Sequence, residues 1–212
     1  MSAIPTPLIR VVHYADPWCW YCWGLEPVLR RLKEVYGDEI ELVYKMGGMF
    51  NDMGEWMAEN GVDSMEALES WVKDSDKQMG NPFNVRFVTN LKPASTWPAC
   101  VAVKAAESQG RELGEEFYRG LMEAVQVFGK DGSDHAVQAQ VALRVGLDVD
   151  RFQSDLGHCG YPRGARCFYP PETAEDKLEC QGFSSADCKG VYGVEYDVGL
   201  GEFCQLFVYE PA

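Results

Sequence analysis

Two cysteines separated by two residues, Cys19 and Cys22, stand where an apolar segment ends and a helical pattern begins. Residues 8–14 are apolar and rich in β-branched side chains, which is typical of a strand buried on both faces. From residue 25 onward, apolar residues recur at helical spacing as far as Gly37, and glycine commonly ends a helix. The pattern therefore places the two cysteines at the first turn of a helix that follows a buried strand.

The start of a helix has a chemical consequence for a cysteine. The first backbone N–H groups have no partner within the helix, and they point at the sulfur of Cys19 together with the positive end of the helix dipole. A thiolate at Cys19 is thereby favoured. Cys22 lies one turn further along the same face, where it can close a disulfide or attack a mixed disulfide formed at Cys19. The sequence predicts a redox-active dithiol.

Aromatic and polar residues around the dithiol complete the predicted site. We expect four aromatic rings to remove part of the water from the cysteines and to offer apolar surface to a substrate; they belong to Trp18, Trp20, Tyr21 and Trp23. His13, on the strand, is expected to be a core histidine rather than a group that tunes Cys19. Asp16 is expected to be a helix-start or loop residue, and the alternative is a proton relay to Cys22.

A second strand is predicted over residues 40–46, where apolar and polar residues alternate. Strand, helix and strand form a βαβ unit, so the strands should be parallel, with Cys19 at the carboxyl end of the first. Gly47 and Gly48 follow the second strand. This glycine pair forms either a close wall of the dithiol site or a plain turn.

The middle of the chain carries helical patterns and no strand signal. Helices are predicted over residues 63–77, 95–108, 112–128, 133–145 and 148–156. Ser95 or Thr96 is expected to cap the second of these, and Cys100 within it to be a small buried apolar side chain. Residues 81–93 are predicted to be an irregular connection, and residues 192–209 to form an antiparallel hairpin.

Composition excludes several classes of protein. The chain has 212 residues, of which 46% are hydrophobic and 12% aromatic, so a full core is expected. A net charge of −14 without a basic cluster argues against a nucleic acid or an anionic membrane as partner. The sequence shows no apolar run of about 18 residues and no secretory signal, which predicts a cytoplasmic protein with reduced cysteines.

Several short motifs occur together in this chain. They are Asp16-Pro17-Trp18-Cys19-Trp20-Tyr21-Cys22-Trp23-Gly24, a helix that contains Pro27, Met46-Gly47-Gly48, Thr96-Trp97-Pro98-Ala99-Cys100 and Gly146-Leu147-Asp148. In this combination the chain resembles the DsbA-like thioredoxin-fold family, in its FrnE-like cytoplasmic branch. The resemblance implies an α/β thioredoxin-like fold with an all-helical insertion between the N-terminal βαβ unit and a C-terminal β-hairpin. Residues 1–60 would be the thioredoxin-like N-terminal part, 61–156 the insertion, and 157–212 a divergent cysteine-rich segment with the hairpin.

The resemblance also implies thiol–disulfide oxidoreductase or isomerase activity on protein or small-molecule disulfides, without a cofactor or a metal. Cys19 would be the nucleophile and Cys22 the resolving thiol. In this family a cis proline packs against the dithiol, whereas here Glu195, after Val194, occupies the matching position. A cis bond before a non-proline residue costs about 2.5 to 4 kcal/mol, so we expect a reshaped loop. The carboxylate of Glu195 would also oppose a thiolate at Cys19, so catalysis should be weaker or altered.

Two other functions are alternatives to the oxidoreductase. The first is a small-molecule enzyme, since relatives of this fold include glutathione-using transferases and isomerases, in which a single serine or cysteine replaces the pair. The second is a non-catalytic thiol or metal-binding homologue. Four late cysteines either form a second redox pair, as in some FrnE-like members, or are scattered thiols; they are Cys159, Cys167, Cys180 and Cys188. The family's last helix has no counterpart after Tyr209, so a sheet face is expected to be uncovered or to be covered by a second copy in a homodimer.

Overall fold

The computed structural model describes residues 9–158 and the backbone of residues 205–209, without the side chains of residues 76–79 and 157–158. Several predictions lie outside these residues. They concern the first strand of the hairpin, the loop at Val194 and Glu195, and the cysteines at positions 159, 167, 180 and 188. The boundaries 1–60, 61–156 and 157–212 also stay predictions.

In the described part of the chain, three strands form one mixed sheet. Strand β1 spans Ile9–Ala15, β2 spans Ile40–Met46 and β3 spans Gln205–Tyr209, in the order β2-β1-β3. β1 pairs with β2 in parallel and with β3 in antiparallel orientation. The parallel pair confirms the predicted βαβ unit, and β3 confirms the second strand of the predicted hairpin.

Helix α1 spans Trp20–Tyr36 and contains Pro27, and a short 3-10 turn at Gly37–Glu39 leads from it to β2. Seven further helices lie within residues 48–158: α2 Met53–Glu59, α3 Met65–Met79, α4 Phe87–Leu91, α5 Trp97–Glu107, α6 Arg111–Met122, α7 His135–Val145 and α8 Val149–His158. A π-helical turn, Glu123–Val127, continues α6. No helix among the described residues is long and apolar enough to cross a membrane.

The five helices predicted for the middle of the chain are present. Their ends lie within two residues of the expected ones when the π-helical turn is counted with α6, which itself ends at Met122. The prediction that residues 81–93 are irregular is wrong in part, because α4 lies within them, and α2 was not predicted either. Both helices are too short to show a 3.6-residue period. α2 is fixed by a local cap, in which Asp52 accepts a hydrogen bond from the backbone N–H of Glu55, and α4 by burial of Phe87 and Val88.

The contacts divide the described residues into two compact units. The first comprises residues 9–15, 25–47 and 205–209, and therefore contains the sheet. In it, Leu25 and Leu29 of α1 and Val11 and Val12 of β1 are buried. The second unit comprises residues 16–24 and 48–158, and therefore contains both cysteines of the dithiol. Its core includes Phe117 of α6, which packs against Phe152 of α8.

Candidate active site

The two cysteines lie at the beginning of α1, as predicted. Cys19 directly precedes Trp20, the first helical residue, and Cys22 is the third residue of the helix. The backbone N–H of Cys22 donates to Cys19 Sγ at 3.4 Å. This N–H is one of those that a helix leaves without a partner, and the sulfur takes the place of the oxygen of an ordinary N-cap residue. Neither cysteine forms a disulfide in this structure.

Asp16 shapes the turn that leads from β1 to the dithiol. One carboxylate oxygen, Oδ1, accepts the backbone N–H of Trp18 at 2.8 Å, and the backbone carbonyl of Asp16 accepts the N–H of Cys19 at 3.0 Å. Aspartate side chains that accept an N–H two residues ahead stabilise tight turns in this way. The expectation that Asp16 is a loop residue at the helix start is therefore confirmed.

The other carboxylate oxygen of Asp16 binds segments that are distant in sequence. Oδ2 accepts the backbone N–H of Met49 at 2.6 Å and the hydroxyl of Thr96 at 2.6 Å, and Cys100 Sγ lies 3.4 Å away. Thr96 was expected to be a possible cap of α5, but its hydroxyl forms no cap. Ser95 Oγ instead accepts the N–H of Trp97. A buried carboxylate is a stronger acceptor than a backbone carbonyl, which explains where the threonine hydroxyl points.

The charge of Asp16 is linked to that of the dithiol. Burial raises the pKa of Asp16 to about 6, against the hydrogen bonds from Thr96, Met49 and Trp18, and a negative charge on Cys19 raises it further. Electrostatic interactions are mutual, so an ionised Asp16 also disfavours a thiolate at Cys19. The helix start and Asp16 therefore act on a thiolate at Cys19 in opposite directions.

Cys100 is buried, as predicted, but its surroundings are polar rather than apolar. Burial raises its pKa well above the ordinary value of a thiol, and the carboxylate of Asp16 adds to this effect. The backbone N–H of Gly48, at a φ of +65°, donates to Cys100. The sequence does carry one signal for the contact of Cys100 and Thr96 with Asp16. Thr96 and Cys100 are four residues apart and therefore lie on one face of the helix start.

The two glycines after β2 have different roles. The N–H of Gly47 donates to the carbonyl of Ala15 at 2.8 Å and so continues the pairing of β1 with β2. Gly48 contacts Cys100, and the next residue, Met49, contacts Asp16. These contacts are with Cys100 and Asp16, so the idea that the pair forms a wall of the dithiol site stays a prediction.

The aromatic residues around the cysteines point into the core. Three tryptophans, Trp18, Trp20 and Trp23, are at most 4% exposed, and Tyr21 is half-buried. The three indole rings are covered in this structure, and the expectation that they offer apolar surface to a substrate stays a prediction. Their rings are used to anchor the start of α1: Trp18 stacks on Phe87 of α4, and Trp20 packs edge-on against Trp71 of α3. The hydroxyl groups of Tyr21 and Ser75 lie 3.0 Å apart.

The dithiol is itself buried, since Cys19 is 1% exposed and Cys22 is 0% exposed. The sequence predicted only partial removal of water. Any partner of Cys19 must therefore reach a sulfur that is covered in this structure.

Pro27 within α1 leaves a backbone carbonyl near the dithiol without its helical hydrogen bond, and other segments bind there. Proline has no N–H, so the carbonyl of Trp23, four residues earlier, lacks its helical donor. The side-chain amide of Asn81 donates to this carbonyl at 2.7 Å, and the indole N–H of Trp23 donates to the carbonyl of Pro82 at 2.9 Å. Arg119 lies over the same ring, 5.4 Å from its centre. The first turn of α1 is thereby tied to the segment that precedes α4.

His13 is a core residue, as predicted. Its ring lies 5.6 Å from that of Tyr44, and burial lowers its pKa to about 3, so it is neutral at pH 7. Within the described residues no group of three or more histidine, cysteine, aspartate or glutamate side chains could hold a metal ion.

The sequence and the fold are similar to those of known proteins. Residues 13–159 match the family model described as Thioredoxin. The ClpXP adapter protein SpxH of Bacillus subtilis (strain 168) is 29% identical over 164 residues, which are 77% of this chain and 53% of the relative. The chain therefore spans about half the length of the curated relatives it matches.

Two solved structures with a similar fold are described by names that refer to disulfide chemistry. One is described as a candidate protein disulfide isomerase from Nitrosomonas europaea (TM-score 0.56, 21% identity, 81% of this chain and 74% of that chain). The other is the cytosolic disulfide reductase DsbM from Pseudomonas aeruginosa (TM-score 0.53, 23% identity, 70% and 71%), which is also known in a structure with GSH. The family match, the βαβ unit and these likenesses together show that the chain belongs to the thioredoxin family and has a helix-rich α/β fold of the DsbA-like class.

Proposed function

We propose that this protein is a dithiol–disulfide oxidoreductase whose redox pair is Cys19 and Cys22. The observation that carries the proposal is the hydrogen bond from the N–H of Cys22 to Cys19 Sγ at the first turn of α1. A helix start stabilises the thiolate that thiol–disulfide exchange requires, and the second thiol is one turn away. Membership of the thioredoxin family and the fold shared with a disulfide reductase support the same chemistry.

The reaction is an exchange of sulfur–sulfur bonds. The thiolate of Cys19 attacks one sulfur of a substrate disulfide; a bond forms between the two sulfurs, the substrate S–S bond breaks, and the departing thiolate takes up a proton. Cys22 then loses its proton and attacks Cys19 Sγ, which closes the Cys19–Cys22 disulfide and releases the second substrate thiol. Two electrons and two protons have passed from the dithiol to the substrate. A protein dithiol or two small thiols can reduce the pair again.

The environment of Cys19 favours the reducing direction. A strong dithiol oxidant owes its power to a stabilised thiolate in the reduced form. Here the helix start stabilises the thiolate, whereas burial and the carboxylate of Asp16 oppose it. We therefore assign the protein to reduction of disulfides, which fits a cytoplasmic location, where thiols are kept reduced.

Burial of the dithiol favours a small substrate. A disulfide within a folded protein can approach a covered sulfur only if a large surface is displaced, whereas a small disulfide needs a narrow opening. Glutathione disulfide belongs to this second class, and the reductase DsbM has been seen with GSH. We therefore assign small-molecule disulfides as substrates before protein disulfides.

The test is an equilibrium in glutathione redox buffers. Trypsin cleaves after Arg10 and Arg30, so Cys19 and Cys22 lie on one peptide, 11–30, and Cys100 lies on another, 87–104. A disulfide between Cys19 and Cys22 appears as the loss of two hydrogen atoms from peptide 11–30 after acid quenching and alkylation. The proposal predicts this species, and it predicts that Cys19→Ser abolishes reduction of glutathione disulfide.

Two results would contradict the proposal. The first is the absence of the disulfide at every glutathione ratio. The second is activity that persists in Cys19→Ser, which would favour the small-molecule transferase or isomerase reading instead. Cys22→Ser separates the two chemical steps, because it should trap glutathione on Cys19 as a mixed disulfide.

A second candidate function comes from the curated relatives, which are named ClpXP adapter proteins. An adapter needs a surface that holds its partners and needs no turnover of a dithiol. Binding of purified ClpXP to the immobilised protein, measured by surface plasmon resonance, would support this function if the double variant Cys19→Ser, Cys22→Ser bound as well as the wild type. No binding by either protein would count against it.

A further inference from the structure

Gln126 is a buried side chain that contacts the turn in front of the dithiol. It is 0% exposed, and its amide Nε2 donates to the backbone carbonyls of Pro17 and Cys19, each at 3.0 Å. The backbone carbonyl of Gln126 in turn accepts the N–H of Asn84 at 2.8 Å. One side chain therefore joins both ends of the Pro17–Cys19 turn to the π-helical turn that continues α6.

The backbone that carries Gln126 is unusual. Gln126 lies in the π-helical turn Glu123–Val127, where the carbonyl of Glu123 accepts the N–H of Phe128, five residues ahead, at 3.2 Å. Single π-turns interrupt an α-helix at a cost in hydrogen-bond geometry, and they are frequent at functional sites because they redirect a side chain. The side chain directed by this turn reaches the backbone of the nucleophilic cysteine.

The two hydrogen bonds of the Gln126 amide affect disulfide formation through the position of Cys19. The carbonyl of Cys19 also accepts the N–H of Trp23 at 3.2 Å, so the residue is held from α1 and from Gln126. A disulfide requires a narrow range of Cα distances and dihedral angles. A backbone that is already fixed loses little conformational freedom when the two sulfurs join, which raises the effective concentration of one thiol toward the other.

We propose that Gln126 is a positioning residue of the dithiol: its amide holds the Pro17–Cys19 turn so that the Cys19–Cys22 disulfide is favoured. The inference rests on the proposed redox function of this pair. The amide is neutral, so it acts on the geometry of Cys19 and leaves the charge of the site unchanged. A merely structural role of Gln126 would lower stability without changing the redox equilibrium.

The chain contains a matched control, Gln138 of α7. It is also 0% exposed, and its Nε2 donates to the carbonyls of Gly132 at 2.8 Å and Pro98 at 3.4 Å. In both glutamines, Oε1 has no hydrogen-bond partner among the described residues. The two side chains thus have the same chemistry and burial, but the carbonyls bound by Gln138 lie outside the dithiol turn.

The experiment compares Gln126→Met with Gln138→Met, since methionine keeps the length of glutamine and removes the donor. The equilibrium constant between the protein dithiol and glutathione disulfide is measured from peptide 11–30, and stability from urea unfolding of the reduced proteins. Loss of the two hydrogen bonds should lower the constant about tenfold in Gln126→Met. Gln138→Met should keep it within about twofold of the wild type while losing similar stability.

The inference would be overturned if the equilibrium constant of Gln126→Met with glutathione disulfide stayed within about twofold of the wild-type value. It would also be overturned if Gln138→Met lowered this constant as much as Gln126→Met does. If Gln126→Met does not fold, Gln126→His replaces it. The imidazole keeps one N–H near the position of Nε2, so the equilibrium constant should decrease about threefold. An unchanged constant would contradict the proposed role of Gln126. A wild type that forms no disulfide at all would instead be a failure of the proposed function.

Discussion

The burial of Asp16 predicts that the protein loses stability as pH rises, and Asp16→Asn removes this loss. The pKa of Asp16 is about 6 in the folded protein, against an ordinary value of 3.8. The folded state therefore binds this proton more tightly than the unfolded state does. The stability that results is fully present below pH 3.8 and is lost as pH rises through 6.

The magnitude follows from the two values. Each pH unit between 3.8 and 6 is worth about 1.4 kcal/mol, so ionisation of Asp16 costs about 3 kcal/mol in full, of which about 2 kcal/mol falls between pH 4 and pH 7. Asparagine cannot ionise. Its amide also fits poorly against the donors of Met49 and Thr96, which adds a cost of about 1 to 3 kcal/mol at every pH. Relative to the wild type, Asp16→Asn should therefore be least stable at pH 4 and should gain about 2 kcal/mol by pH 7.

Urea unfolding followed by tryptophan fluorescence, at several pH values and with a reductant present, measures this difference. Asp134→Asn is the control, because Asp134 is an exposed N-cap of α7 that accepts the N–H of Ala136, and its removal changes the net charge equally. The informative quantity is the difference between each variant and the wild type, from which the other titrating groups cancel. A difference for Asp16→Asn that stays constant from pH 4 to pH 7 would refute the electrostatic reasoning.

Three further predictions follow from contacts of the same site and of β1. Burial lowers the pKa of His13 to about 3, so its contribution to stability is present above pH 6.5 and is lost as pH falls. Between pH 7 and pH 4, the free energy of unfolding of His13→Leu in urea should therefore fall by about 3 kcal/mol less than that of the wild type. Asn81→Ala leaves the carbonyl of Trp23 without a donor and should lower the free energy of unfolding by about 1 to 3 kcal/mol. The decrease should be smaller in a Pro27→Ala background, because residue 27 then has an N–H that can donate to the same carbonyl. Asp16→Asn should also make the dithiol a stronger oxidant above pH 6, because the charge that opposes the Cys19 thiolate is gone; an unchanged glutathione equilibrium there would contradict the coupling.

The sequence was sufficient to predict the dithiol and its place in the fold because the signals are local. The apolar strand, the cysteine spacing and the helical period all lie within residues 8–37, and the N–H groups of a first turn point toward its preceding residue in any helix. The contact between the N–H of Cys22 and Cys19 Sγ follows from these facts alone. The burial of Trp18 and Trp20 does not, since it depends on Phe87 and Trp71, which lie in other helices.

The properties that decide what Cys19 does come from the distant parts of the chain. The carboxylate of Asp16 is held by Met49 and Thr96, which are 33 and 80 residues away, and burial raises its pKa against these hydrogen bonds. Gln126 is 107 residues from Cys19. No periodicity links such positions. Two cysteines at a helix start can supply a nucleophile and a resolving thiol, whereas the charge beside Cys19 and the contacts of its turn come from these tertiary neighbours. The same Cys-x-x-Cys spacing is therefore compatible with an oxidant or a reductant. In this protein the carboxylate of Asp16 opposes a thiolate at Cys19, and the proposed role of Gln126 is to hold the turn in a geometry that suits the disulfide.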